Sequence, residues 1–212
     1  LRKPCGKFIL FGMSRAYKPD ETRRQILDAA YNVIHRHGFQ AAGLNDILGM
    51  TGVTKGAMYH HFPGKTALGY AVVDELVKAY LEDWWLAPLD RSEESGDDDP
   101  LAAIARTIQD NMTGRVPDIH LLGCPLNNLA QEMSPLDGGF RQRIEDLYRA
   151  WRRRLSRALT RGQHSGTVSG AVDTDEAATL IVAAIQGAFG QAKSAQSMAP
   201  FHDAMAGLNI YL

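Results

Sequence analysis

The 212-residue chain is long enough to bury a substantial core, and its 45% apolar and 22% charged content is ordinary for a globular protein. Its apolar runs are too short to cross a bilayer, and two distant cysteines, Cys5 and Cys124, make neither a disulfide framework nor a zinc site, which points to a reducing, cytoplasmic setting. The net charge of −1 hides an asymmetry: residues 1–65 hold 10 Lys+Arg against 4 Asp+Glu, and residues 66–212 hold 13 against 20, a pattern that points to a polyanionic partner for the first third.

In chain order, residues 1–12, LRKPCGKFILFG, precede Met13, a plausible natural start. Their apolar core, Phe8 to Phe11, is too short for a signal-peptide core, so residues 1–18 are expected to be a disordered leader. From Asp20 to His37, Ile26, Ala29, Ala30, Val33 and Ile34 recur at the three-and-four spacing of an amphipathic helix, and Gly38 stands where a left-handed cap is wanted. A short helix fits residues 44–50, with Ile47 and Leu48 inward, and a third begins after Thr54 and stops before Pro63. A long helix is expected over residues 65–86, spanning roughly 33 Å at about 1.5 Å per residue, with Pro88 just past its end. The acidic run 90–99, DRSEESGDDD, reads as an exposed loop. Further helices are expected near 100–114, 124–133, 139–162, 174–194 and 200–211, with Pro100, Pro125 and Pro200 in first turns. No strand alternation appears, so the fold class is all-α.

The stretch TGVTKGAMYHHF, residues 51–62, carries the chemistry. Gly52 permits a tight turn, Val53 points inward, and Thr54 can cap the next helix by accepting from its free amides. Gly56 costs about 1 kcal/mol of helix stability relative to alanine, a loss that packing does not recover unless another surface must approach the backbone there. A DNA major groove is such a surface, since it admits a helix whose N-terminal residues face base edges. Thr54, Lys55, Gly56, Ala57, Tyr59, His60 and Lys65 are therefore the candidate DNA-binding residues. Lys55, Tyr59 and Lys65 would grip phosphates, and Gly56, Ala57 and His60 would lie near bases, while Met58 and Phe62 stay on the core side.

These residues give residues 22–68 a resemblance to the N-terminal domain of the TetR/AcrR family of bacterial transcriptional regulators. The matching pieces are Ile26–Ala30, the Gly38-Phe39 pair, Asp46-Ile47, Gly52 to Phe62, and Lys65 with Leu68. Four positions depart from the family pattern: Leu48 and Thr51 replace alanines, Gly43 replaces a Ser/Thr cap, and Gly49 adds a flexible site. The resemblance implies a helix-turn-helix domain over residues 19–64 and a larger helical ligand-binding and dimerisation domain over residues 65–212. It implies a non-enzymatic repressor that binds a palindromic double-stranded operator as a homodimer and is released by a small-molecule effector, with no cofactor and no membrane. An activator is the alternative within the same class.

In the second domain, residues 174–194 are rich in Ala and Gly, so another helix can approach closely; this helix and the last one (Met205, Leu208, Tyr211) are the expected dimer contact. Candidates for the effector cavity are Trp84, Trp85, Met112, His120, Cys124, Asn127, Asn128, Gln131, Tyr148, Trp151 and Phe189, a mostly apolar set with a few polar groups. Arg149, Arg152, Arg153, Arg157 and Arg161 form a solvated face expected to pair with nearby acids. Cys124 near a helix start leaves a redox or electrophile sensor as an alternative, with a small buried residue as the default. His60-His61 and His35/His37 lack carboxylate or cysteine company at ligand spacing, so no metal site is expected.

Overall fold

The computed structural model describes residues 21–96, 99–112 and 119–208; the expected leader and Tyr211 fall outside these, as do the side chains of Met112 and His120. Among the described residues there is no strand. The first unit comprises α1 (Glu21–His37), α2 (Leu44–Thr51) and α3 (Lys55–His61). Then come α4 (residues 65–94), α5 (Pro100–Met112), α6 (Ile119–Leu122), α7 (Pro125–Met133), α8 (Gly138–Ser165), α9 (Thr174–Ala195) and α10 (Ala199–Leu208). No helix among the described residues is long and apolar enough to cross a membrane.

α4 corrects two expectations. It does not end before Pro88 but continues to Glu94, alternating α-helical turns (Lys65–Ala71, Lys78–Leu81, Ala87–Glu94) with π-helical ones (Val72–Val77, Glu82–Leu86). Pro88 enters at the start of the last α-helical piece, directly after the second π segment. A widened turn there lets the chain pass a residue that has no N–H to give. The first half of the expected acidic loop is therefore helical. Asp90 and Glu93 face the arginines of α8: Arg154 Nε lies 2.9 Å from Asp90, Arg157 3.3 Å from Asp90, and Arg161 3.1 Å from Glu93. These pairs are partly exposed, so each contributes at most about 1 kcal/mol. Of the five arginines expected on a solvated face, Arg149, Arg152, Arg157 and Arg161 are thus paired with acids.

The core of the second unit is aromatic. Trp85 and Trp151 stack with ring centroids 4.8 Å apart, Trp85 meets Phe189 edge-on at 6.2 Å, and Phe189 meets Phe201 at 4.4 Å. α9 buries Ile181, Val182, Ile185 and Phe189 but leaves Leu180, Ala183, Gly187 and Gly190 exposed. Met205 and Leu208, expected at a dimer contact, instead pack into the chain's own core, because α10 turns its apolar face onto α9.

Aromatics also join the two units. Phe39, following α1, meets Phe140 of α8 at 4.7 Å, and Tyr70 meets the same ring at 5.0 Å. A Cβ on Gly69 would lie 2.7 Å from Phe140 Cζ and closer still to Phe39 Cε2, so only glycine lets α4 pass here. Tyr70 donates to Asp137 at 2.7 Å, and that carboxylate also caps α8 by accepting from Gly139 and Phe140 amides at 2.8 and 2.9 Å.

Candidate nucleic-acid interface and effector region

The turn between α2 and α3 is built as its residues require. Gly52 takes the left-handed conformation (φ 70°) and donates its N–H to Leu48 O at 3.0 Å. Thr51 donates its hydroxyl to the same carbonyl at 3.1 Å and accepts from Val53 N at 3.1 Å, so the threonine that departs from the family pattern braces the turn. Thr54 caps α3, its Oγ1 accepting from Ala57 N at 3.2 Å. Gly43 caps α2 without a side-chain hydrogen bond. A Cβ there would lie 2.6 Å from Asp46 Oδ2, so the glycine makes room for the acid of the first turn.

Met58 and Phe62 are buried, which fixes the opposite face of α3 outward. Thr54, Lys55, Gly56, Tyr59 and His60 are exposed, and Ala57 is half-buried between the two faces. Nothing lies within 4 Å of where a Cβ on Gly56 would stand. Met50, at the end of α2, is also 44% exposed and shares this surface region's helix-turn-helix; the sequence pattern alone did not single it out. Lys65 is set apart from the rest. Its ammonium donates to Gln40 O at 2.9 Å and sits 4.9 Å over the Phe39 ring, so it secures the loop after α1 instead of projecting freely. The same loop is held from the second unit, where Glu132 accepts from the amides of Phe39 and Gln40 at 2.8 Å each.

A short, capped and exposed third helix, joined to α2 by a tight turn on a three-helix unit, is the geometry of a helix-turn-helix. Residues 26–72 match the family described as bacterial regulatory proteins, tetR family, and residues 99–208 match the tetracyclin repressor-like C-terminal domain. The chain belongs to the TetR family of bacterial transcriptional regulators. It is 30% identical to an HTH-type transcriptional regulator in the lacX 3' region of Lactococcus lactis, over 68% of this chain and 71% of that protein. It is 26% identical to the HTH-type transcriptional repressor NemR of Escherichia coli, over 88% of this chain and 91% of the relative. A regulatory protein TetR from Rhodobacter sphaeroides superposes with a TM-score of 0.79 at 25% identity, covering 90% of this chain and 98% of its own.

Among the described residues the expected effector residues of this TetR-family chain do not share one open cavity: Asn128 and Gln131 line a groove between the two units, and the others lie elsewhere. Trp85, Trp151 and Phe189 are buried against one another, and the void beside Trp85 and Trp151 holds only about 10 Å³. Trp84 is half-buried at the core's edge. Tyr148, also half-buried, donates to Asn127 Oδ1 at 3.3 Å, and Asn128 donates to Leu122 O at 2.7 Å. Cys124 is buried, and burial pushes its thiol above the usual range, which works against a reactive thiolate. Facing it is Gln186, which sequence reasoning missed: this buried amide has no hydrogen bond of ordinary geometry at either atom among the described residues. Its position within an apolar helix was the only signal.

Proposed function

We propose that this TetR-family regulator is a repressor that binds a palindromic operator as a homodimer and leaves it when a small molecule occupies the C-terminal domain. The observation that carries the proposal is the empty space over Gly56 on an outward-facing, capped α3. Small side chains there let the helix axis lie deep in a major groove. Gly56, Ala57 and His60 then approach bases, while Thr54, Lys55 and Tyr59 hold flanking phosphates. Lys65 reaches phosphate only by leaving Gln40 O, so its contribution is smaller than that of Lys55.

The dimer is proposed to form on α9 and α10. Leu180 is 60% exposed, and Cβ atoms built on Gly187 and Gly190 meet nothing within 4 Å, so the stripe Leu180, Ala183, Gly187, Gly190 is open to a second helix. Two copies joined this way would present their α3 helices to half-sites about one helical turn apart. For the effector, the interior around Gln186, Cys124 and Tyr148 is the proposed pocket. Beyond a weak contact with the Cys124 thiol, the buried Gln186 amide meets no hydrogen-bond partner of ordinary geometry among the described residues. Such a group costs about 1–3 kcal/mol, and a ligand that pairs with it recovers that loss while prising the surrounding core apart. α4 is the proposed lever, running from Lys65 beside α3 to Trp84-Trp85 in that core. Moving the population from 1:99 to 99:1 requires about 5.5 kcal/mol of ligand preference for the released state.

The test is fluorescence anisotropy of labelled DNA from upstream of the coding sequence, titrated with the wild-type chain and with Gly187→Arg. The proposal expects two chains per operator for the wild type, and a monomer with strongly weakened operator binding for the variant. A monomeric wild type that binds tightly contradicts the dimer; no shift on any upstream fragment contradicts the repressor reading.

A further inference from the structure

A groove of about 450 Å³ opens where the first unit meets the second, and operator binding as proposed does not use it. Its floor is apolar and shared between units: Ile34 of α1, Val77 of α4 and Leu129 of α7 are all buried and line it. Its rim is polar and basic, with Arg36, His37 and Lys193 exposed at the mouth. None of these three has an ion-pair partner among the described residues, and Lys193 has only the neutral Asn128 Oδ1, at 3.3 Å. The acid on the wall, Glu132, has turned its carboxylate to the Phe39 and Gln40 amides. His35 lines the same groove. Burial first, then the nearby charges of Lys193 and Arg36, hold it down near about 4 against the opposing pull of its contact with Gly123 O. A concave apolar floor of this size with a few convergent polar groups is how small-molecule sites are built.

We propose that this groove is a second small-molecule site, separate from the Gln186 interior, and that it takes an organic anion. The aromatic or aliphatic body lies on the floor of Ile34, Val77 and Leu129, and the carboxylate, sulfonate or phosphate is held by Arg36 and Lys193. Because the floor belongs to both units and Glu132 holds the loop after α1, an occupant fastens the DNA-reading unit to the effector unit.

The probe is 1-anilinonaphthalene-8-sulfonate, titrated by fluorescence into the full chain, with N-phenyl-1-naphthylamine as the same body without the anion. The double variant Arg36→Ala/Lys193→Ala is expected to raise the Kd of the sulfonate about fivefold to tenfold and leave the neutral amine unchanged, since each exposed pair contributes up to about fivefold. Gln131→Trp, which fills the mouth from an exposed position, is expected to abolish both. Hydrogen exchange of the peptide covering residues 31–42 is expected to slow when the sulfonate saturates. The proposal is overturned if the sulfonate does not bind. It is equally overturned if the double variant binds both probes as the wild type does, or if binding leaves that peptide's exchange unchanged.

Discussion

Gly56 and Gly69 are the same residue placed for opposite reasons. At Gly69 the missing side chain is filled by the protein itself, because Phe39 and Phe140 crowd in where a Cβ would stand. At Gly56 nothing fills the gap. The open site at Gly56 costs helix stability without a packing return, and on the exposed face of a helix-turn-helix it leaves room for a closely approaching surface. One glycine belongs to the joint between the two units; the other stands open on the face proposed to meet a duplex.

That contrast can be attacked at several points, beginning with the costliest. His35→Gln tests the joint by pH. In the unfolded chain this histidine takes its proton near its ordinary value of 6.5, and in the fold only near about 4. Its contribution is therefore present above pH 6.5 and is lost as the pH falls toward 4, a difference of the order of 3 kcal/mol. Urea titrations at both pH values should show the variant losing less stability on acidification than the wild type; equal losses would mean that the half-buried ring is not held neutral. Gly69→Val should cost about 3 kcal/mol by overpacking, since two aromatic rings must move. A loss under about 1 kcal/mol would show that the joint yields, and that the two glycines are not so different.

Glu132→Ala removes the carboxylate that two amides share and is expected to cost about 1–2 kcal/mol, with faster exchange at Phe39 and Gln40. Unchanged exchange would remove Glu132 from the joint. Thr54→Ala is the smallest of the set, at about 1 kcal/mol, because it takes away a single cap on an exposed helix. Its signature is frayed α3 amides with the core of the second unit undisturbed.

The same division governs how much was legible in the sequence. The reading unit was legible because its signals are local: Thr54 as a cap, Gly52 as a turn, Met58 and Phe62 four apart. α4 was not, since Pro88 is a stop signal unless a π turn precedes it, and that turn leaves no mark in composition. The acidic run after it looked like a loop because the arginines that pair with Asp90 lie more than sixty residues later. Trp85, Trp151 and Phe189 have the composition of either a core or a pocket, and only their mutual contacts distinguish the two. The groove at the joint went unseen for a related reason: its floor comes from three helices, and its charges gather only once those helices pack.

The most direct measurement is operator affinity and thermal stability for Gly56→Phe beside the wild type, by anisotropy on the same upstream DNA and by circular dichroism. The account predicts a melting temperature close to the wild type's, since the added ring meets only open space, together with a loss of at least about 100-fold in specific binding, equivalent to some 2.7 kcal/mol. A stable variant that binds its operator as tightly as the wild type would contradict the claim that the edge of α3 is bare to let a duplex in.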